Sequence, residues 1–291
     1  VALDRQSNIL LRERCPTPQG DYQQTLNAIC QLVQQSEQKL QQTGTLCIGI
    51  PGSISKETGL VKNANSTCLI GKALKEDLYN RLQRPISISN DADCFTLSEA
   101  YDGAGEPYNN VFGVILGTGV GGGISINKSI LNGPNSITGE WGHNPLPWLS
   151  PNDLITNCYC GKQGCIETFL SGPGISRQYS MQCETLPDPL ANIRSEDIFK
   201  LSQAGHPLAL ECVKQYIDQL ARSLASVINI LDPDAIVFGG GLSNIDSLYP
   251  QVHLKLQDYI FSDCVNTKLI KARHGDSSGV RGAAWLGITA Q

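Results

Sequence analysis

The apolar positions of this 291-residue chain change period several times, and each change marks an element. Between Asp21 and about Gln42, Tyr22, Leu26, Ile29, Val33 and Leu40 fall on one face of a helical spiral, and glutamines fill the other. The spacing predicts an amphipathic helix ended by Gly44. "TLCIGI" follows as an unbroken apolar run stopped by Pro51-Gly52, the pattern of a buried strand. Lys56 to Gly59 reads as a turn between short strands. "PISISNDADCFTLSEAY" predicts a strand, a polar junction at Asn90-Asp91 and then a helix. "NNVFGVILGTGVGGGISIN" predicts a strand, a glycine loop and an alternating strand. From Pro207 to Leu231, Val213, Ile217, Leu220, Leu224, Val227 and Leu231 recur at three- and four-residue spacing, which predicts one long helix. "DPDAIVFGGGLSN" is a turn, a short apolar strand and three glycines ahead of another helix. Strands and helices alternate with antiparallel pairs mixed in, so the fold class is α/β.

Composition narrows the classes of partner. Apolar residues make up 41% and charged residues 17%, with a net charge of −5. No basic block offers a footprint for nucleic acid or an anionic membrane, and no apolar run approaches the 18 or so residues of a bilayer span. The N-terminus lacks the basic and apolar regions of a signal peptide. The 11 cysteines are an odd number spread along a long chain, unlike a small disulfide scaffold. Cys30, Cys47, Cys94 and Cys212 fall inside apolar patterns, where a thiol behaves as a small hydrophobe. A reducing, cytoplasmic compartment is expected.

"HNPLPWLSPNDLITNCYCGKQGCIE" carries the most specific chemistry. Cys158, Cys160 and Cys165 bring three thiols within eight residues, and His143 lies fifteen residues ahead. A Cys3His set suits a closed, structural, tetrahedral zinc site. The plainer reading is three unpaired thiols on a loop, exposed to oxidation; no base stands beside any of them to make a nucleophile.

The stretch "GTGVGG" from Gly117 satisfies the dinucleotide fingerprint in letters, but that fingerprint needs a helix directly afterwards. "GISIN" alternates like a strand, so the loop is expected at a hairpin tip, where backbone N–H groups and the Thr118 hydroxyl could cradle phosphates. A plain glycine hairpin is the competing reading. Asp91, where a strand meets a helix, suits either an N-cap or first-turn acid or a side chain aimed into a cleft. Asp93, two residues on, is expected to point away from that cleft. Glu140 and Glu167 read as surface carboxylates unless a zinc-locked loop fixes their directions, since each lies within three residues of a candidate ligand.

"ILGTGVGGG", "GEWGH", "CYCGKQGCIE" and "IVFGGGLSN", in this order and spacing, resemble the ROK family of sugar kinases and related repressors across essentially the whole chain. "IPGSISKETGLVKNANST", "GEWGHNPLPW" and "HGDSSGVRGAAWL" are similar to its bacterial fructokinase (manno-fructokinase) branch; the N-acetylglucosamine kinase branch is the neighbour. The resemblance implies an actin-like (ribonuclease H-like) two-domain sugar kinase fold with a cleft between the domains. Residues 1–108 would form the smaller domain, joined by a C-terminal helix at about 277–291, and 109–276 the larger one, with the zinc loop at 143–165.

It further implies that Asp91 is the general base, and that Asn65, Asn90, Asp91, Glu140, His143 and Glu167 bind the sugar. Gly117, Thr118 and Gly119 would meet the ATP phosphates, and Gly239, Gly240 and Gly241 the adenosine. His143 would face sugar and zinc with its two ring nitrogens. Zinc and ATP-bound magnesium are the implied cofactors; ATP and a hexose, fructose first and mannose with it, are the implied small-molecule partners, without nucleic acid or membrane. A homodimer is compatible with the family. N-acetylglucosamine kinase or glucokinase is the alternative within the family, and a sugar-responsive transcriptional repressor the alternative of another class. The family's N-terminal D-x-G-G-T phosphate loop has no match: "VALDRQSNILLRER" resembles the strand after it, so the sequence is expected to be a truncated form of a longer protein.

Overall fold

The computed structural model describes residues 1–185, 193–275 and 278–289. A short antiparallel pair, β1 (Ala2–Leu3) and β2 (Ile9–Leu11), opens the chain. Helix α1 (Tyr22–Leu40) begins where Asp21 accepts the Gln24 N–H at 3.0 Å, a side-chain cap for an otherwise unsatisfied donor. Strand β3 (Leu46–Ile50) pairs in parallel with β6 (Ile86–Asn90), and between them lie the hairpin β4 (Ser53–Ile54) and β5 (Val61–Lys62) and helix α2 (Leu74–Leu82). Leu26, Ile50, Val61, Leu74, Leu78 and Ile86 close one apolar core around these elements. Helix α3 (Asp91–Tyr101) follows β6 without a loop.

A five-stranded sheet carries the second half. Its order is β11 (Lys268–Lys271), β10 (Ala235–Gly239), β7 (Asn110–Leu116), β8 (Val120–Ile126), β9 (Ser129–Ile130). The first three strands are parallel and the last two antiparallel to their neighbours. Strand alternation sorts the β7 side chains. Phe112, Val114 and Leu116 join a large core with α4 (Ile166–Leu170), α5 (Gly172–Thr185), α6 (Ser195–Gln203), α7 (Pro207–Leu231) and α8 (Leu248–Leu256), while Val111 packs with Phe95 of α3 on the other face. The long helix spans the expected residues, and its Val213, Ile217, Leu220, Leu224 and Ile228 are buried. No helix among the described residues is long and apolar enough to cross a membrane.

The last helix, α9 (Ser278–Thr289), returns to pack on α3 and β3. A Cβ on Gly282 would sit 1.6 Å from the Cys94 carbonyl oxygen, so only glycine allows this backbone approach. The rings of Tyr101 and Trp285 stack at 4.1 Å. Glu99, fully buried, accepts the N–H groups of Ala104, Arg273 and His274 and the Ser278 hydroxyl, all within 3.0 Å. Asp276 and Ser277 of "HGDSSGVRGAAWL" and the last two residues of the expected terminal helix lie outside the described residues.

Candidate functional site

Two pairs of parallel strands, β3 with β6 and β7 with β10, carry the candidate residues at their carboxyl ends, where α/β folds bind ligands. From β3 and β6 come the Pro51-Gly52 turn and Asn90; the Asn90 amide donates to the Gly52 carbonyl at 3.0 Å. Asn90 also caps α3, accepting the Ala92 N–H at 2.8 Å. Asp91 is therefore the first helical residue and not the cap, and its Oδ1 accepts the same N–H at 2.9 Å. Its carboxyl remains open to solvent, yet the surrounding protein strips part of its hydration and raises it above the usual carboxylate range.

From β7 and β10 come the two glycine segments. Leu116 pairs with Val120, so Gly117, Thr118 and Gly119 form a three-residue hairpin tip, and β8 continues as a strand through Gly122. That excludes the strand-to-helix turn of the dinucleotide fingerprint. Gly240, with φ +83°, lies so close to Leu116 that a Cβ would be 2.4 Å from its carbonyl oxygen. The Gly239–Gly241 segment thus abuts the base of the hairpin, and Gly241 starts a short 3-10 turn to Asn244.

The third component is "GEWGH". Trp141 is buried, and its indole donates to the Gly121 carbonyl at 2.9 Å. Docking Trp141–Gly142 against β8 leaves Glu140 and His143 flanking the hairpin. Burial pushes the Glu140 carboxyl up, Asp91 and Glu167 add to that, and His143 and Lys62 oppose it. These couplings place Asp91, Glu140, His143 and Glu167 in one electrostatic neighbourhood. The Glu167 Oε2 accepts the Val120 N–H at 2.9 Å and lies against Gly119, and Gly172 N–H donates to the Gly117 carbonyl at 2.8 Å.

The four candidate metal ligands converge. One donor atom from each of His143, Cys158, Cys160 and Cys165 lies within 4.8 Å of all the others. His143 Nδ1 is 3.6 Å from the Cys158 sulfur, and the Cys160 and Cys165 sulfurs are 3.6 Å apart. Tetrahedral bonds of about 2.3 Å to sulfur and 2.0–2.1 Å to nitrogen give ligand-to-ligand edges of roughly 3.5–3.8 Å, so the donor set fits zinc in chemistry and size. None of the 11 cysteines is in a disulfide. The other ring nitrogen, Nε2, lies 3.0 Å from the Tyr159 hydroxyl.

Asn65 and Asp93 complete the expected positions. Asn65 is exposed and, among the described residues, hydrogen-bonds to none of the other candidates; its neighbour Ala64 is what abuts Gly52. Asp93 lines a cavity of about 290 Å³ that Asn90 and Glu140 also line and Asp91 does not, its Oδ2 held 3.3 Å from the Ser89 hydroxyl.

Sequence reasoning also missed a buried anchor. Arg222 and Asp153, 2% and 0% exposed in their side chains, meet through two hydrogen bonds of 2.9 Å, and Arg222 also donates to the Pro147 and Trp148 carbonyls. Burial works to raise Asp153, but Arg222, the Ser150 N–H and Gln219 outweigh it and hold its carboxyl below the usual range. The pair fastens the segment between His143 and Cys158 to α7. Its signal in the sequence was a lone arginine within a long apolar helix.

The chain is 39% identical over 282 residues to an N-acetyl-D-glucosamine kinase of Salmonella gallinarum, covering 95% of this chain and 91% of the relative. Two solved structures share the fold at 25% identity. A ROK hexokinase of Thermus thermophilus superposes with a TM-score of 0.81, covering 95% of this chain and 91% of its own. A ROK family glucokinase of Streptomyces griseus, solved with glucose and AMPPNP, superposes at 0.76, covering 98% and 93%. These likenesses bring the actin-like ATPase fold with them. The ROK family model matches residues 1–290, and the chain belongs to the ROK family.

Proposed function

We propose that this chain transfers the γ-phosphoryl group of ATP to a hydroxyl of a hexose. The observation that carries the reading is the junction of β6 and α3: Asp91 follows Asn90 at the start of the helix, and Glu140 feels the charges of Asp91, His143 and Glu167 together. Phosphoryl transfer needs positioning and charge stabilisation more than covalent catalysis. Asp91 orients the attacking hydroxyl and takes its proton as the oxygen–phosphorus bond forms and the bond to ADP breaks. Burial raises its carboxyl, which makes it a better proton acceptor than an ordinary aspartate. Asn90, Glu140, His143 and Glu167, with Asn65 from the loop after β5, hold the sugar's other hydroxyls. Gly117–Gly119 receive the phosphates and Gly239–Gly241 the nucleoside. Magnesium accompanies ATP and neutralises phosphate charge. Zinc in the His143, Cys158, Cys160, Cys165 set is structural, and fixes the direction of Glu167 through the adjoining first turn of α4.

The separate apolar cores support a reading of residues 1–108, joined by α9, and 109–276 as two domains. The similar N-acetyl-D-glucosamine kinases support that sugar as the acceptor. Fructose is a second reading, favoured by one observation: Ser53, Ser55 and Lys56 of "IPGSISKETGL", a segment similar to fructokinases, line the cavity beside Asn90. ADP release measured with N-acetylglucosamine, fructose, mannose, glucose and no sugar tests both. Sugar-dependent ADP release is the expected result, and its absence with every hexose would overturn the kinase reading.

A further inference from the structure

The cavity beside Asn90 and Glu140 contains a carboxylate that the reaction above does not use. Asp93 is the third residue of α3. An acid at this position commonly turns back to the backbone N–H of the capping residue. Asp93 instead turns toward Ser89, and its hydrogen bond there is long, at 3.3 Å. Its second oxygen, Oδ1, is buried and, among the described residues, has no hydrogen-bond partner. A buried carboxylate oxygen left in this state is costly in a protein that uses it only for structure.

The walls indicate what completes it. Asp93, Ser89, Thr138, Lys56 and Lys75 all line the cavity. Lys56 donates to the Gly133 carbonyl at 2.7 Å, and Lys62 to the Asn135 carbonyl at 2.7 Å, which holds the loop after β9 as the opposite wall. A volume of about 290 Å³ is at the small end of ligand sites, suited to a monosaccharide and too small for a nucleotide as well. Hydroxyl oxygens on several walls match a neutral polyol. Asn90 and Glu140 line this cavity and also adjoin Asp91 in sequence or in electrostatic reach, so the cavity borders the proposed reacting centre.

Resting on the hexose kinase reading, we propose that this cavity is the part of the acceptor site that selects the sugar, with Asp93 hydrogen-bonding one of its hydroxyls. Burial, with Glu140 and Asp91 nearby, pushes the Asp93 carboxyl up to about 7 against the pull of the Ser89 hydroxyl. Near neutral pH it can therefore donate to a sugar oxygen or accept from a hydroxyl. A sugar that leaves Oδ1 unpaired is disfavoured, because an unmet buried polar group counts against the complex.

The experiment compares the wild type with Asp93→Ala and Asp93→Asn, by initial rates and by calorimetric titration of N-acetylglucosamine and fructose. Thermal melts establish that each variant is folded, and the near-isosteric Asn variant serves if Ala unfolds. Asp93→Ala should raise KM for the preferred sugar about tenfold to a hundredfold, with kcat within about threefold and KM for ATP unchanged. Asp93→Asn should alter the ratio of kcat/KM between the two sugars. Folded variants that keep wild-type KM and the wild-type ratio for both sugars would overturn the subsite. If no hexose is phosphorylated but calorimetry shows sugar binding lost on Asp93→Ala, the subsite stands and the kinase reading falls.

Discussion

The Glu167 carboxylate accepts the Val120 backbone N–H at 2.9 Å, joining the first turn of α4 to the exit of the glycine hairpin. One residue group thus connects the cysteine loop with the segment proposed to hold phosphates. Glu167→Ala should lower stability by about 1–3 kcal/mol through the lost charged hydrogen bond, and raise KM for both sugar and ATP. Glu167→Gln keeps an acceptor for Val120 and should restore the ATP value more than the sugar value. Steady-state kinetics with each substrate varied would check this; an Ala variant altered in neither KM would refute the connection.

Metal content follows from the Cys3His geometry. Mass-spectrometric metal analysis should find one zinc per chain, and Cys160→Ser should lower that occupancy. Chelation should expose thiols to titration and lower the thermal midpoint, because metal binding and folding of the loop are coupled. Protein purified without stoichiometric zinc, and with its thiols already reactive, would remove the metal from this reading.

Asp91→Asn retains size and the contact with the Ala92 N–H but loses the basic oxygen. It should reduce kcat by about 10²–10⁴-fold while sugar affinity changes little. Single-turnover rates and sugar titration on the same preparation would separate the two effects.

Asp93 gives a pH dependence of stability. Burial raises its carboxyl in the folded state to about 7, with Glu140 and Asp91 adding and the Ser89 hydroxyl opposing; Lys56 and Lys75 also border the cavity. The folded protein then holds a proton that the unfolded chain releases near pH 4. This contribution is full below about pH 4 and is lost as pH rises through about 7. Asp93→Asn cannot titrate, so it should gain stability relative to the wild type from pH 5 to pH 8. Denaturant melts across that range would show a constant difference if Asp93 were not protonated.

Long, regular stripes made much of the fold legible. The α7 pattern fixed its span because thirteen of its side chains are buried against neighbours. Helix α5 was hidden because it opens Gly-Pro-Gly, which reads as a breaker; in a first turn proline loses no intrahelical bond. The cysteines, Asp91 and the hairpin were readable because ligand spacing and strand-helix junctions are local facts. The cavity at Asp93 was not legible because the loop after β9 supplies a wall that only the tertiary fold brings there. Arg222 and Asp153 pair across 69 residues, so the lone arginine of α7 gave no hint of its partner.

Glu99 bears on the order in which the chain can be completed. Three of its four hydrogen-bond donors, at Arg273, His274 and Ser278, are 174, 175 and 179 residues further along. During synthesis α3 emerges long before them, and domains generally fold from the N-terminal end as they leave the ribosome. A carboxylate missing those donors would resist burial, and α9, which covers α3 and β3, would also be absent. Helix α3 therefore waits, incompletely packed, until that later segment is made. The helix bearing Asp91 settles into place only once residues 273–278 have been made, and a ribosome stalled before residue 273 would hold a nascent chain in which Glu99 lacks three of its four donors.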